Sequence, residues 1–198
     1  MTRCTLCDAL FQVPSKYKAF PICPPCYDSA FDLDMKVTRK LKWEEPSEIM
    51  DGLLWLGGEG STLDRDWLLQ HGIRRILTVA THMERMTHHE GIQYQQIDVD
   101  DDPSEDLKQH WKSAFEFLDQ AKNDNSGILV HCVSGISRSG ATVVAYVMHS
   151  QGIQYDEALA RVRRRRPCVS PNGGFQDQLR AFEKTLKLQV PGSTNRPS

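Results

Sequence analysis

Residues 127–151 constrain the fold of this 198-residue chain more than any other segment. They begin with the apolar run Gly127-Ile128-Leu129-Val130-His131, which is typical of a strand buried on both faces. Ser139 to Gln151 follow and are apolar nearly all round, as expected of a central buried helix. A strand and a helix that are both buried on all sides need helices on either face of a sheet. The sequence therefore predicts a three-layer α/β domain.

Strand-like and helix-like segments alternate between residues 47 and 187, which supports this fold class. Short apolar runs predict strands at Leu53 to Leu56, Ile76 to Ala80 and Tyr94 to Val99. A helix is predicted at Thr62 to Gln70, with Ser61 or Thr62 as its cap, and another at Leu107 to Ala121, with Ser104 as its cap. Apolar residues at helical spacing predict two more helices, at Tyr155 to Val162 and at Phe175 to Leu186.

Composition and charge narrow the possible partners and locations. The formal net charge of −2 gives no global attraction to nucleic acid or to a membrane surface. The start Met1-Thr2-Arg3-Cys4 lacks the apolar region of a secretory signal, and no apolar run approaches the ~20 residues of a membrane helix. We therefore expect a cytoplasmic or nuclear protein without a membrane or nucleic-acid partner.

The segment His131-Cys132-Val133-Ser134-Gly135-Ile136-Ser137-Arg138-Ser139-Gly140 lies between the predicted buried strand and the buried helix. A loop at this place points successive backbone N–H groups into one concavity, where the helix dipole adds positive charge. A phosphate group fits such a loop, with the residues from Val133 to Ser137 around it. Cys132 is then expected to be a nucleophilic thiolate, and the Arg138 guanidinium can hold two phosphoryl oxygens at once. The alternative is a small buried cysteine and a solvated arginine.

This segment resembles the HCxxGxxRS signature of the dual-specificity protein phosphatases, and the resemblance covers about residues 47–187. Supporting matches are Leu54-Trp55-Leu56-Gly57, Arg166-Pro167 and Ser170-Pro171-Asn172. The resemblance implies a mixed five-stranded sheet and a two-step reaction through a cysteinyl-phosphate, without a metal. It also implies that His131 and Asn172 support the loop, Asn172 by side-chain hydrogen bonds. Asn172 could equally be a turn residue or a helix cap.

A thiolate that attacks phosphorus needs the leaving oxygen protonated by a general acid. The run Ile97-Asp98-Val99-Asp100-Asp101-Asp102-Pro103 follows a predicted strand, and the resemblance places the acid at Asp101, with Asp102 and Asp100 as alternatives. Such a run can also be a solvated loop. Ser139 is expected to stabilise the leaving thiolate in the second step, and it could also be the N-cap of the following helix.

Four of the six cysteines form a separate pattern near the N-terminus. Cys4 and Cys7 make one CxxC pair, Cys23 and Cys26 make another, and fifteen residues separate the pairs. This spacing predicts a structural Zn²⁺ held by four thiolates, although redox dithiols or unliganded cysteines are alternatives. We therefore divide the chain into a zinc module at 1–31, a linker at 32–46, a phosphatase domain at 47–187 and a disordered tail at 188–198. The zinc module could also bind a partner.

The hypothesis that follows is a phosphatase of phosphoproteins, acting on phosphotyrosine and on phosphoserine or phosphothreonine. Alternatives are a phosphoinositide, an RNA 5′-phosphate or a phosphoglucan as substrate, or a phosphate-binding adaptor without catalysis. The uncharged loop interior, Val133 to Ser137, favours protein substrates. Cys168 is expected to be an ordinary buried residue, with a disulfide to Cys132 under oxidation as the alternative.

Overall fold

The computed structural model describes residues 2–3, 10–11, 45–81 and 88–188. The chain divides into two compact units, Met1–Lys42 and Trp43–Ser198. In the first unit, β1 (Thr2–Arg3) and β2 (Leu10–Phe11) pair antiparallel. The four cysteines of the predicted zinc module, most of the predicted linker and the predicted tail beyond residue 188 lie outside the described residues.

The second unit contains a mixed five-stranded sheet, as the resemblance implied. Its strands are β3 (Ser47–Met50), β4 (Leu54–Gly57), β5 (Ile73–Val79), β6 (Gln93–Ile97) and β7 (Gly127–His131), in the spatial order β3-β4-β7-β5-β6. β3 runs antiparallel to β4, and all other neighbours are parallel. The parallel strands therefore end at the same edge of the sheet, where ligand sites of open α/β sheets are found.

Within the described part of the chain, five α-helices surround the sheet. They are α1 (Arg65–Gln70), α2 (Trp111–Asn123), α3 (Arg138–Gln151), α4 (Tyr155–Arg165) and α5 (Gly173–Leu188). Short 3₁₀ turns precede α1 and α2 at Glu59–Thr62 and Lys108–His110. None of the helices in the described ranges has the length and apolar character needed to cross a lipid bilayer.

The core confirms the three-layer arrangement. Every residue of β7 is buried, and alternate side chains enter different clusters. Ile128 and Val130 belong to the large cluster that includes side chains of α2, α3, α4 and α5. Leu129 belongs to a smaller cluster, which includes Leu68 of α1. Because side chains alternate across a strand, α1 covers one face of the sheet and the other four helices cover the opposite face.

Two predicted helix starts are wrong. The backbone N–H of Trp67 donates to Asp64 Oδ1 at 3.0 Å, so Asp64 caps α1 and neither Ser61 nor Thr62 does. Residues Glu59–Thr62 form the 3₁₀ turn instead. The helix predicted after a Ser104 cap begins only at Trp111, after a second 3₁₀ turn. At α1 the wrong start follows from Ser61 and Thr62, which are capping residue types but lie in the 3₁₀ turn. At α2 the spacing of Leu107 and Trp111 extends across the second 3₁₀ turn, whose period is close to that of an α-helix.

Candidate active site

Two loops at the carboxyl edge of the sheet carry the predicted site residues. We call residues 132–137, between β7 and α3, the phosphate loop. We call residues 98–106, after β6, the acid loop. Because β6, β5 and β7 run parallel, both loops leave the same edge of the sheet, and β5 is the one strand between them.

The carbonyl groups of the phosphate loop are bonded from the outside. Val133 O accepts from the Glu59 N–H at 3.0 Å, and Ile136 O accepts from the Ser170 N–H at 3.0 Å. Between them, Ser134 O and Gly135 O accept from Arg166 at 3.4 and 3.0 Å. In a trans peptide the N–H points away from the C=O of the same unit. Four outward carbonyls therefore turn the next four N–H groups toward the inside of the loop, where an anion can bind.

Arg166 braces this loop from behind. Its side chain is 2% exposed, and Nη1 also donates to Glu45 O at 3.0 Å. Burial lowers the pKa of the Arg166 guanidinium. Arg166, which is part of the match Arg166-Pro167, therefore ties the phosphate loop to the chain before β3.

Gly135 allows the loop to approach β4 closely. Its φ of +68° lies in the left-handed region, and a Cβ there would overlap the carbonyl oxygen of Gly57. The same Cβ would lie 2.8 Å from Arg166 Nη2. No L side chain fits this position without a backbone shift, so the close approach of the loop to β4 requires glycine here.

Cys132 lies at the floor of the phosphate loop, with its side chain 1% exposed. Its Sγ accepts hydrogen bonds from the Gly135 N–H at 3.3 Å and from Ser139 Oγ at 3.1 Å. Both donors stabilise a negative charge on sulfur, as does the N-terminus of α3. The Ser139 side chain therefore faces Cys132. The N-cap of α3 is Ser137, so Ser139 does not serve as the cap.

Arg138 is the first residue of α3 and is 9% exposed, so it is not the solvated arginine of the alternative interpretation. Its Nη1 donates to Val99 O at 3.2 Å, which links it to the acid loop. Its Nε is buried and has no hydrogen-bond partner among the described residues. A buried donor without a partner costs about 1–3 kcal/mol, and an anion in the loop would satisfy it.

The three candidate acids have different surroundings. Asp101 Oδ1 accepts from Ser137 Oγ at 2.6 Å, so this carboxylate meets the phosphate loop. Asp100 Oδ1 instead accepts from Thr81 Oγ1. Asp102 Oδ1 accepts from the side chain and the N–H of Ser104, which lower the pKa of Asp102. Among the three, Asp101 is the one that bonds to the phosphate loop.

Asn172 connects Asp101 to α5. Its Nδ2 donates to Asp101 Oδ1 at 2.9 Å, and its Oδ1 accepts from the Phe175 N–H at 3.0 Å. The second bond caps the helix, which was one of the alternatives for this residue. Asn172 reaches the phosphate loop through its backbone N–H, which donates to Ser137 Oγ at 3.0 Å. The side chain thus supports the acid rather than the loop.

His131 is fully buried below the loop. Its Nε2 lies 2.9 Å from Thr78 Oγ1, and its Nδ1 lies 3.2 Å from Cys132 O. Burial lowers the pKa of His131 to about 4, so the ring is neutral near pH 7. His131 therefore holds the backbone of the nucleophile without adding a charge. Thr78 was missed at the sequence level, although a threonine inside an apolar strand is a signal for a buried polar partner.

Cys168 is half-buried with a free thiol. The described residues contain no group of three or more metal-ligating side chains. The assembled site therefore offers a sulfur nucleophile, an anion-binding loop with an unsatisfied guanidinium N–H, and a carboxylate at the loop's rim. Such an arrangement can transfer a phosphoryl group to sulfur and protonate the leaving oxygen.

Comparisons with known proteins agree with this arrangement. Residues 54–185 match the family described as "Dual specificity phosphatase, catalytic domain". Dual specificity protein phosphatase Mpk3 of Drosophila melanogaster is 40% identical over 151 residues, which are 76% of this chain and 36% of that protein. Dual specificity protein phosphatase 22-B of Danio rerio is 40% identical over 140 residues, covering 69% of this chain and 73% of the relative. The chain thus spans well under half the length of Mpk3.

Among solved structures, the human tyrosine phosphatase-like serine/threonine/tyrosine-interacting protein superposes with a TM-score of 0.68 and 34% sequence identity. The match covers 72% of this chain and 97% of that protein.

Proposed function

The chain belongs to the dual specificity phosphatase family, and from this premise we propose that it hydrolyses phosphotyrosine and phosphoserine or phosphothreonine in proteins. The observation that carries the proposal is that Cys132 begins the phosphate loop and that the buried Arg138 directly follows the loop. The sulfur accepts two hydrogen bonds there, while the Arg138 Nε is buried without a partner. A phosphoryl group supplies the acceptor that this N–H lacks.

In the first step the Cys132 thiolate attacks phosphorus, so that a P–S bond forms and the bond from phosphorus to the leaving oxygen breaks. Arg138 and the inward N–H groups hold the other three phosphoryl oxygens, where charge is spread in the transition state. Asp101 donates its proton to the leaving oxygen, which departs as a neutral alcohol or phenol. The hydrogen bonds from Ser137 and Asn172 fix the Asp101 carboxyl at the rim of the loop.

In the second step a water molecule attacks the cysteinyl-phosphate. The Asp101 carboxylate takes a proton from this water as the new P–O bond forms. The P–S bond breaks, and its electron pair returns to sulfur as a thiolate. Ser139 donates a hydrogen bond to that sulfur and stabilises it as the leaving group.

The interior of the phosphate loop supports protein substrates over the alternatives. Its side chains from Val133 to Ser137 carry no charge, and the cation that follows them is Arg138 at the start of α3. A phosphoinositide headgroup with several phosphates calls for additional cations beside the one that binds the reacting group. A phosphomonoester of a protein side chain needs only one set of oxygen contacts.

A phosphate-binding adaptor without catalysis is a second candidate, because one structurally similar protein is described as phosphatase-like and as an interacting protein. The retained Cys132 and Asp101 favour catalysis. Binding of a phosphopeptide without release of its phosphate would show that the protein is such an adaptor.

The test is a panel of peptides with phosphotyrosine, phosphoserine or phosphothreonine, together with phosphoinositide vesicles, a 5′-phosphorylated RNA and a phosphoglucan. We expect phosphate release from the peptides and a fall by a factor on the order of 10³ or more in Cys132→Ser. Cys168→Ser is the matched control and should keep the wild-type rate. Because Cys132 is only 1% exposed, alkylation of its thiol, blocked by inorganic phosphate, should also be measured. An unreactive thiol or turnover confined to a non-protein substrate would refute the proposal.

We also propose that Cys4, Cys7, Cys23 and Cys26 hold a structural zinc ion in a module that binds a partner, and that the protein is cytoplasmic or nuclear. The support is the CxxC spacing alone, since four thiolates complete a tetrahedral zinc site. Metal analysis of the purified chain should give about one zinc per chain, and it should give none in the double variant Cys4→Ser/Cys23→Ser. A metal-free chain with four free thiols would rule out the site. A fluorescently tagged chain tests the location.

A further inference from the structure

The acid loop rests directly on the first turns of α5. We propose that Gly174 and Gln178 are positioning residues that hold Asp101 at the phosphate loop before a substrate binds. The inference rests on the proposed function, because it concerns the general acid of that reaction. It goes further because it states that residues in the first turns of α5, which carry out no chemical step, hold Asp101 in place.

The contact at Gly174 leaves no room for a side chain. A Cβ at this position would overlap the carbonyl oxygen of Pro103 and lie 2.6 Å from its carbonyl carbon. Both of these atoms are backbone, so a rotamer change cannot relieve the overlap. Pro103 follows Asp101 by two residues, and its fixed φ limits local adjustment. The acid loop can therefore keep its position only while residue 174 is glycine.

Gln178 fixes the other end of the acid loop one turn further along α5. Its Nε2 donates to Glu105 O at 2.7 Å, and its Oε1 accepts from the Lys108 N–H at 2.9 Å. One side-chain amide thus bonds a backbone carbonyl and a backbone N–H group that lie about seventy residues earlier in the sequence. Loss of either bond would leave a backbone group without its partner, at Glu105 in the acid loop or at Lys108 just after it.

Three contacts from one stretch of chain therefore hold the loop. Asn172 bonds the Asp101 carboxylate itself, Gly174 meets the backbone two residues later, and Gln178 bonds the loop's exit. Ser137 holds the same carboxylate from the phosphate loop. The acid is thus fixed relative to both the nucleophile's loop and α5. A carboxyl group held in this way loses little freedom in the transition state, which raises its efficiency as a proton donor.

The experiment compares Gly174→Ala with Gly173→Ala in the full chain. Gly173 is the preceding residue of the same helix, and a Cβ there meets nothing within 4 Å, so it is a matched control. A second pair is Gln178→Ala with Asp177→Ala, since Asp177 is exposed on the same turn. The substrates are phenyl phosphate, whose leaving group has a pKa of about 10 as in tyrosine, and 2,4-dinitrophenyl phosphate, whose leaving group needs no proton.

We expect kcat/KM for phenyl phosphate to fall about tenfold or more in Gly174→Ala and Gln178→Ala, and to change less than about twofold for the dinitrophenyl ester. Both controls should match the wild type on both substrates. Equal losses on the two substrates, or no loss on either, would overturn the inference, because neither result depends on the proton donor. If Gly174→Ala does not fold, the Gln178→Ala pair decides.

Hydrogen exchange of the acid loop gives a readout that does not depend on activity. The amides of residues 98–108 should exchange faster in Gly174→Ala and Gln178→Ala than in their controls. Unchanged exchange would overturn the inference. If the wild type hydrolyses no phosphate ester, the proposed function fails, and the exchange measurement still decides whether α5 holds the loop.

Discussion

Ser139 Oγ donates a hydrogen bond to Cys132 Sγ across 3.1 Å, from the first turn of α3 to the first residue of the phosphate loop. Both side chains are shielded from solvent, with exposed fractions of 0% and 1%. A hydrogen bond to a charged group in such a place contributes about 1.5–3 kcal/mol. The bond contributes most when sulfur carries a negative charge, as it does when the thiolate leaves phosphorus in the proposed second step.

Ser139→Ala should therefore slow the second step more than the first. We expect kcat to fall by roughly 10- to 100-fold, the equivalent of one charge-assisted hydrogen bond, and a cysteinyl-phosphate to accumulate. Stopped-flow detection of a phenol burst and intact-mass analysis of the quenched protein would show the intermediate. Ser113→Ala, which removes an exposed hydroxyl on α2, serves as the control. A lower rate without a burst would mean that Ser139 acts mainly on the first step.

Asp101→Asn should remove the basic limb of the pH–rate profile for phenyl phosphate. The basic limb reports the deprotonation of the general acid, and an amide cannot donate that proton. At the optimum of the wild type, the rate should fall by a factor on the order of 10² to 10⁴. The measurement is kcat/KM between pH 4 and pH 9.

Asp102→Asn is the matched comparison for this prediction. Asp102 already accepts two hydrogen bonds from Ser104, and an asparagine side-chain oxygen can accept them as well. The profile should therefore keep both limbs. If Asp102→Asn loses the basic limb and Asp101→Asn keeps it, the acid is one residue later than we propose.

Elements buried on all sides were the most predictable part of the fold. The bounds of β7 follow directly from its apolar run, and α3 begins one residue before the predicted start. β3 was missed because Ser47–Met50 is a four-residue edge strand with only half-buried side chains, so its sequence lacks alternation. The start of α1 was misplaced because Ser61 and Thr62 are capping residue types as well as Asp64. The start of α2 was misplaced because Leu107 and Trp111 keep helical spacing across a 3₁₀ turn.

The site was predictable where neighbouring residues form it. Cys132, Arg138 and Ser139 lie within eight positions of one another, and local geometry brings them together. The contacts of Asp101 with Asn172 and of Gln178 with Glu105 join segments more than seventy residues apart. Such pairs depend on the packing of α5 against α3 and against the 3₁₀ turn Lys108–His110, and no local pattern encodes them. The general acid could thus be narrowed to three aspartates from the run itself, and the structure shows which one meets the loop.

Gly135→Ala should destabilise the protein by more than a positive φ alone explains. The added Cβ overlaps the Gly57 carbonyl and crowds Arg166 in addition to straining the backbone. Gly152→Ala is a matched control, since Gly152 has a φ of +63° and open space around it. We expect about 1 kcal/mol for Gly152→Ala and at least ~1 kcal/mol more for Gly135→Ala, measured by urea denaturation. Equal losses would show that the loop relaxes away from β4 without cost.

The buried His131 makes stability depend on pH. In the folded protein burial lowers the pKa of His131 to about 4, whereas the ordinary histidine pKa of 6.5 applies to the unfolded chain. Between these values the unfolded chain binds one proton more than the folded one, so unfolding becomes easier as pH falls. The stability from neutral His131 is fully present above pH 6.5 and is lost as the pH approaches 4. A difference of two to three pH units corresponds to roughly 3 kcal/mol.

The comparison with His131→Gln isolates this contribution. Glutamine does not titrate and can still bond Thr78, so the variant should be less stable at pH 7 but should lose less stability on acidification. Urea denaturation at half-unit steps from pH 7 to pH 4 gives the slope of the unfolding free energy for each protein. This slope is proportional to the number of protons taken up on unfolding, and in this pH range the number should be larger by about one in the wild type than in the variant. Parallel slopes would mean that His131 is protonated in the fold, and the buried ring would then need a negatively charged partner beside Thr78 and the Cys132 carbonyl.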